Sequence, residues 1–326
     1  MNRKKLISIV VPFFNEGGNV KFFQASIGSL IETLPDFDFE IVCVDDGSQD
    51  NTLQNLVSIA STDQQFKIIE LSRNFGKEAA LTAGIDHASG DAVIPIDADL
   101  QDPPELIEQM LTEWQKGYEV VLARRVDRSS DSYLKRRTAE LFYKFHNRLS
   151  HVKIPENVGD FRLMDRKVVE AVKLLPEQQR FMKGLFAWVG YSTTTVDYVR
   201  SARVAGDSKF SGWKLWNFAL EGITSFSSAP LKLWTYLGGV GAALSLIYAS
   251  YIIFRTLIYG VDLPGYASIL VAVLFVGSLQ LMSIGMLGEY VGRIYIESKR
   301  RPVYLIRNTY SKKYIETPTK NSLGRV

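Results

Sequence analysis

Ala92 to Glu105 reads AVIPIDADLQDPPE and holds the residues best suited to chemistry. The apolar run Val93 to Ile96 is predicted as a buried strand. It delivers Asp97 and Asp99, with Ala98 between them, to its carboxyl end, where open α/β sheets bind their ligands. Two carboxylates on one turn repel each other unless a cation sits between them or with one of them. Gln101 adds a neutral oxygen two residues on. That set suits a hard divalent ion, Mg2+ or Mn2+, that keeps several waters and takes the rest of its shell from a substrate diphosphate. Asp102, with Pro103 behind it and Glu105 three residues on, has the pattern of a helix N-cap and capping box.

A chain of 326 residues fits one large domain or two modest ones. A net charge of +3 gives no electrostatic pointer to nucleic acid. The single cysteine, Cys43, can form no internal disulfide and reads as a small core residue in a reducing compartment. His87, His146 and His151 lack metal-ligand spacing, which argues against a zinc site. The basic then apolar N-terminus imitates a signal peptide, but Pro12 and Asn15-Glu16 interrupt it and no small-x-small cleavage site follows.

The elements that position these residues alternate. Strands are predicted at Ser8–Val11, Glu40–Val44, Lys67–Leu71, Val93–Ile96 and Val120–Leu122, with helical periodicity between them. Ser89-Gly90 and Gly117 supply helix stops. This is the pattern of a Rossmann-like α/β domain, a mostly parallel sheet with helices on both faces. Neither a G-x-G-x-x-G fingerprint nor a phosphate loop is present, so any nucleotide is held differently. Pro12 to Glu16 follow the first strand and Asp45 to Asp50 the second. Both loops leave the sheet edge that carries Asp97 and Asp99, so the three converge on one crevice. Asp46 is placed to accept hydrogen bonds from a ribose or base, and Phe14 offers a flat apolar surface. Ser48 or Asp50 is expected to make the turn and cap the next helix.

PFFNE, VDDGSQD, DADLQDPP and VGDFRLMDR together resemble family 2 glycosyltransferases, and within them the polyisoprenyl-phosphate hexosyltransferases. The resemblance covers the chain from the first strand to beyond Tyr290. It implies a GT-A catalytic domain and a nucleotide-sugar donor, with Pro12, Phe14, Glu16, Val44 and Asp46 around the nucleoside. Asp97 and Ala98 would lie by the sugar, Asp99 and Gln101 on the metal, and Arg124, Arg203 and Lys209 near the phosphates. The resemblance also places Asp160 against the acceptor, in a catalytic set with Asp97 and Asp99. Since a phosphate monoester is already largely ionised at neutral pH, Asp160 is expected to orient the acceptor as much as deprotonate it. Asp165 and Arg166 are read as capping the following helix. Arg203 and Lys209 lie six residues apart in a Gly- and Ser-rich stretch able to close over a diphosphate.

Ser129 to Leu149 reads as an amphipathic helix. Its cations Lys135, Arg136 and Arg137, with neighbouring Arg128, would meet anionic headgroups or the acceptor phosphate. Trp213 to Phe226 is apolar on one side. Leu233 to Ile258 and Tyr266 to Leu287 each exceed the roughly 20 residues that cross a bilayer. Arg293, Lys299, Arg300 and Arg301 follow the second, so both termini and the catalytic domain are expected to be cytoplasmic. Small residues Gly238, Gly241, Gly277 and Gly285 permit close packing of the spans, within the hairpin or in a homo-oligomer. Glu289 is set to pair with Arg293.

The expected layout is therefore 1–210 catalytic, 211–230 juxtamembrane, 231–292 a transmembrane hairpin and 293–326 a basic tail. The expected reaction is inverting transfer of a hexose, glucose from UDP-glucose in first place, to polyprenyl (undecaprenyl) phosphate. GDP-mannose or a UDP-amino sugar is the alternative donor. Three rivals compete. A processive polysaccharide synthase would need Gln-x-x-Arg-Trp where Glu177 to Phe181 stand. A nucleotidyltransferase would show a Gly-rich loop at PFFNEGG. A silent membrane scaffold would have no reason to keep Asp97, Asp99, Gln101, Asp160, Arg203 and Lys209 together.

Overall fold

The computed structural model describes residues 3–127, 157–178, 180, 182–199 and 265–312, with single helical positions between 238 and 259. All five predicted strands form: β1 (Lys5–Phe13), β2 (Phe37–Asp45), β3 (Phe66–Leu71), β4 (Ala92–Pro95) and β5 (Val120–Asp127). Between them run α1 (Val20–Thr33), α2 (Thr52–Thr62), α3 (Lys77–His87) and α4 (Leu106–Gln115). Then come β6 (Val158–Asp165), α5 (Arg166–Lys173), α6 (Met182–Trp188), β7 (Thr193–Val199), α7 (Tyr266–Ser298) and β8 (Ile306–Tyr310).

The sheet order is β7-β5-β6-β4-β1-β2-β3-β8. Strands β3, β2, β1 and β4 are parallel, as the alternation of strand and helix requires. The sheet is mostly parallel, as expected, with antiparallel pairing in two places. Strand β6 wedges between β4 and β5, antiparallel to both. Strand β8 adds antiparallel to β3. A strand that returns antiparallel starts at the edge where its parallel neighbours end, so Asp160 begins its run beside Asp97 instead of at the far rim.

Strand residues alternate between two cores. Ile7, Ile9, Val11 and Phe13 face α1, α2 and α4, while Val10, Val42, Val44 and Val93 face α3, α5 and α6. Helix α3 lies so close to β1 that a Cβ on Gly84 would sit 2.2 Å from Val10 Cγ1. That approach brings the start of α3, Lys77, over the carboxyl edge of the sheet. Cys43 is fully buried in β2, and burial pushes its thiol well above the usual range, in keeping with a core role.

Asp102 is not a helix cap. Helix α4 begins at Leu106 after Glu105, without a side-chain cap, and Asp102 is buried and takes the Tyr198 hydroxyl at 2.5 Å. The backbone turns through Pro103 and Pro104 before the helix starts, which carries Asp102 away from the orphan amides. Asp165 does cap α5, accepting from Lys167 N. Arg166 instead reaches back to the carbonyls of Ala88 and Gly90.

Tyr304 to Tyr310, in the stretch read from sequence only as a polar, basic tail, dock on the sheet. Glu70 of β3 receives Arg307, Asn308 and the Tyr310 hydroxyl. Tyr304 donates to Asp86 at 2.9 Å and stands edge-on to His87. Helix α7 is 33 residues long, and its Glu289–Arg293 pair forms as the one-turn spacing predicts. At its end Glu297 accepts the amide of Gln178, tying it to the α5–α6 connection. The side chains at 266–268, 270, 271 and 274 are outside the description; among the described residues no helix is long and apolar enough to cross a membrane.

Candidate active site

The β1–α1 and β2–α2 loops are laced into one wall. Asn15 N donates to Ser48 Oγ and Gln49 N to Asn15 Oδ1, while Glu16 N donates to Thr52 Oγ1. Asp50 takes Thr52 N at 3.0 Å and Gly17 N at 3.1 Å from one position ahead of the N-cap, Asn51, which itself makes no side-chain cap. Among the described residues, non-glycine left-handed backbone occurs at Asn15 (φ 54°) after β1, Leu100 (φ 48°) after β4 and Asn157 (φ 61°) before β6, and at Arg300 (φ 46°) after α7. Such conformations cost of order 1–3 kcal/mol each and persist where surrounding structure holds them.

On this wall Pro12 pairs in register with Val44, and Phe14 is 41% exposed at the mouth, free to stack. Glu16 accepts from the Asn19 amide at 2.5 Å. Val44 is fully buried toward α3, so only its main chain can face the crevice. Both Asp46 oxygens receive backbone amides, Phe75 N at 2.7 Å and Gly76 N at 2.9 Å, and each oxygen keeps a further lone pair. Burial raises its carboxyl despite those donors. Its evident work is to hold the β3–α3 loop. Neighbouring Asp45 keeps one buried oxygen without a hydrogen-bond partner.

Gly47 sits beneath that loop with φ +69°, and a Cβ there would lie 2.6 Å from Arg73 C and Asn74 N. Backbone atoms cannot move aside as a side chain can. Gly47→Ala will therefore destabilise the protein by about 3 kcal/mol, read as a lower melting temperature, and will raise the donor KM as the loop shifts.

The loop so held ends in Lys77, which organises the centre of the site. Its ammonium lies 2.7 Å from Asp97 Oδ1 and 3.0 Å from Asp160 Oδ2. Burial would lower the lysine, but the charges of Asp160 and Asp97 outweigh it and hold Lys77 above its ordinary value. Burial would likewise raise Asp160, but Lys77 and then Lys183 hold it well below the usual carboxylate range. The second Asp160 oxygen is buried with no hydrogen-bond partner. Next to it, burial and then the Asp160 charge push Glu78 up to about 7, with Met182 N donating to its carboxyl.

Sequence reasoning missed Lys77, Glu78 and Lys183. The signal was present: the rule that selects the loops after β1, β2 and β4 selects the loop after β3 too, and that loop ends in Gly76-Lys77. Arg124 is placed on β5, where it makes a two-pronged, solvent-exposed pair with Asp197 of β7, Nε to Oδ1 at 2.6 Å and Nη2 to Oδ2 at 2.8 Å. Arg128, Lys135, Arg136, Arg137, Arg203 and Lys209 lie outside the described residues.

Asp99 follows Asp97 on the same edge, accepting the Gln101 amide at 3.2 Å, with Ala98 buried between the two aspartates and Gln101 itself buried. Among the described residues no three His, Cys, Asp or Glu side chains converge on a metal position. A carboxylate and an amide oxygen are the hard donors that Mg2+ or Mn2+ accepts while drawing its other ligands from water and a diphosphate, so the residues fit such an ion.

A strand-end aspartate pair thus faces a third carboxylate across a lysine. Residues 8–173 match the family described as glycosyl transferase family 2. The chain belongs to glycosyltransferase family 2. Residues 229–294 of this glycosyltransferase also match the GtrB C-terminal hairpin. It is 56% identical to a bactoprenol glucosyl transferase of Shigella phage SfV, over 94% of this chain and 99% of that one. It is 54% identical to an uncharacterized glycosyltransferase of Synechocystis sp., over 95% and 97% of the two chains. A prophage bactoprenol glucosyl transferase homolog of Escherichia coli K12 is 54% identical over 92% and 98%.

Proposed function

We propose that this glycosyltransferase moves glucose from UDP-glucose to a polyprenyl phosphate, undecaprenyl phosphate in the first instance, at the cytoplasmic face of a membrane. The observation that carries the reading is the joint hold of Lys77 on Asp97 and Asp160: a donor-side and an acceptor-side carboxylate open on one crevice. The acceptor class and the sugar rest on the names of the bactoprenol relatives, which the chain matches over nearly its whole length.

In the transfer, an acceptor phosphate oxygen attacks the anomeric carbon from the face opposite the diphosphate. The new C–O bond forms as the old one breaks, the electron pair leaves with UDP, and the configuration inverts. Pro12, Phe14, Glu16 and the Val44 main chain receive the nucleoside, and Asp97 orients the sugar. Asp160 orients the acceptor; held so far below the ordinary carboxylate range, it is a poor base, and a phosphate monoester with a second pKa of about 6 does not need one. Arg203 and Lys209 are the cations proposed for the diphosphate. Asp99 and Gln101 would hold Mg2+ or Mn2+, which when bound supplies charge neutralisation at the leaving group.

The membrane reading assigns 1–210 to the catalytic domain, 211–230 to a juxtamembrane helix, 231–292 to a hairpin and 293–326 to the tail, part of which is β8. Tyr266 to Leu287 carry no Asp, Glu, Lys or Arg, and Ile269, Val273, Phe275, Leu281, Ile284 and Leu287 are each at least half exposed on α7. An apolar surface of that extent calls for a cover, and a bilayer provides one. A helix rising 1.5 Å per residue needs only about 20 residues for the hydrocarbon layer.

The test is to incubate membranes carrying the protein with labelled UDP-glucose, GDP-mannose or a UDP-amino sugar, each with undecaprenyl phosphate. A glycolipid is expected from UDP-glucose alone. Glycolipid from another donor would change the sugar, transfer to polymer or water would favour a different enzyme, and no transfer at all would favour a silent scaffold.

A further inference from the structure

The Lys77 bridge is open to a reading as a plain structural ion pair, and two observations speak against that. A bridge built for stability satisfies the buried oxygens of its partner, whereas the Oδ1 atom of the half-buried Asp160 is buried with no hydrogen-bond partner. The pair also lies at the carboxyl edge of the sheet, among the loops after β1, β2 and β4, and the Lys77 side chain is 47% exposed to the crevice. A comparable bridge in the same fold, Lys167 to Glu119, lies at the opposite end of the strands, where α5 begins.

Through Lys77 the two carboxylates come within about 6 Å of each other, a spacing at which like charges act strongly on one another and on any third anion. The acceptor in the proposed reaction is itself such an anion and must enter next to both. We propose that Lys77 is a positioning residue that admits the acceptor phosphate: its ammonium cancels the repulsion of Asp97 and Asp160 toward a phosphate monoester and fixes the gap through which that phosphate reaches the sugar. This deepens the proposed function and rests on it. It also assigns acceptor choice a physical origin, since a neutral hydroxyl acceptor would gain nothing from the lysine.

The experiment compares wild type, Lys77→Met, Lys77→Arg and the double variant Lys77→Met/Asp160→Asn, full-length and in membranes, with UDP-glucose and undecaprenyl phosphate. Lys77→Met is expected to raise the acceptor KM about tenfold or more while the donor KM moves less than about threefold. Lys77→Arg, which keeps the charge, should stay closer to wild type in acceptor KM. The double variant removes the stranded carboxylate and should recover most of the acceptor KM, though not the turnover. A purely structural lysine predicts the reverse, with both KM values rising together and no recovery in the double variant, and that result overturns the proposal. An unchanged acceptor KM in Lys77→Met overturns it as well. A wild type that makes no glycolipid from any donor overturns the assigned reaction instead, before Lys77 is in question.

Discussion

Asp160→Asn will lower turnover about 100-fold and leave the pH dependence of kcat/KM for the acceptor in place. The argument starts from the charge around the residue. Lys77 at 3.0 Å, helped by Lys183, keeps Asp160 ionised far below any assay pH, so its own titration cannot produce an acid limb near neutrality. The group that does titrate there is the acceptor phosphate, with a second pKa of about 6. Removing the Asp160 charge takes away an orienting anion and leaves Lys77 drawn to Asp97 alone, which misplaces the acceptor without changing its ionisation. Activity should therefore fall below about pH 6 in both proteins. Glu78, pushed up to about 7, titrates in the same window, so the comparison is repeated in Glu78→Gln to separate the two. An acid limb that vanished with Asp160 would make the aspartate the base after all.

How far the sequence carries the fold depends on whether the decisive contact is local. The five strands announced themselves because each is a short apolar run between turn signals, buried on both faces. Strand β6 did not, because its apolar pattern is broken by Asp160 and Arg162. Only the fold shows that Arg162 is accommodated, its guanidinium over the Phe186 ring at 4.3 Å and donating to the Gly159 carbonyl. Strand β8 was beyond reach for another reason: Tyr310 finds Glu70 across 240 positions of chain, and no periodicity near Tyr310 records that partner.

The candidate site divides the same way. Asp97 and Asp99 were legible from type and spacing, and Asp160 from the family resemblance of the segment that carries it. Lys77 was not, since a lysine at the start of a helix looks like any solvated cation until two aspartates are seen on either side of it. Asp46 adds a case of a second kind: its type suggested a ligand contact, and the fold also has it accept the amides that hold Lys77's loop, which no local pattern records.

Asp99→Ala, or treatment of the wild type with a chelator, is expected to abolish transfer, by about a thousandfold or more. The described protein atoms alone do not balance the charge of a departing diphosphate. Lys77 is engaged by two carboxylates, and Arg124 is clasped by Asp197. Asp99 stands two residues from Asp97 with a hard oxygen donor and no basic partner within salt-bridge distance among the described residues. A bound divalent ion is worth several kcal/mol of charge stabilisation, and about 4 kcal/mol is already a thousandfold in rate. Loss of Asp99 and loss of the ion should therefore be equivalent, and chelation of the Asp99→Ala protein should add nothing further. Restoring Mn2+ or Mg2+ should rescue the chelated wild type but not the variant, and donor binding measured by calorimetry should weaken in the same two cases. A chelated wild type that kept its rate would move the whole burden of the leaving group onto Arg203, Lys209 and the lysine between the two aspartates.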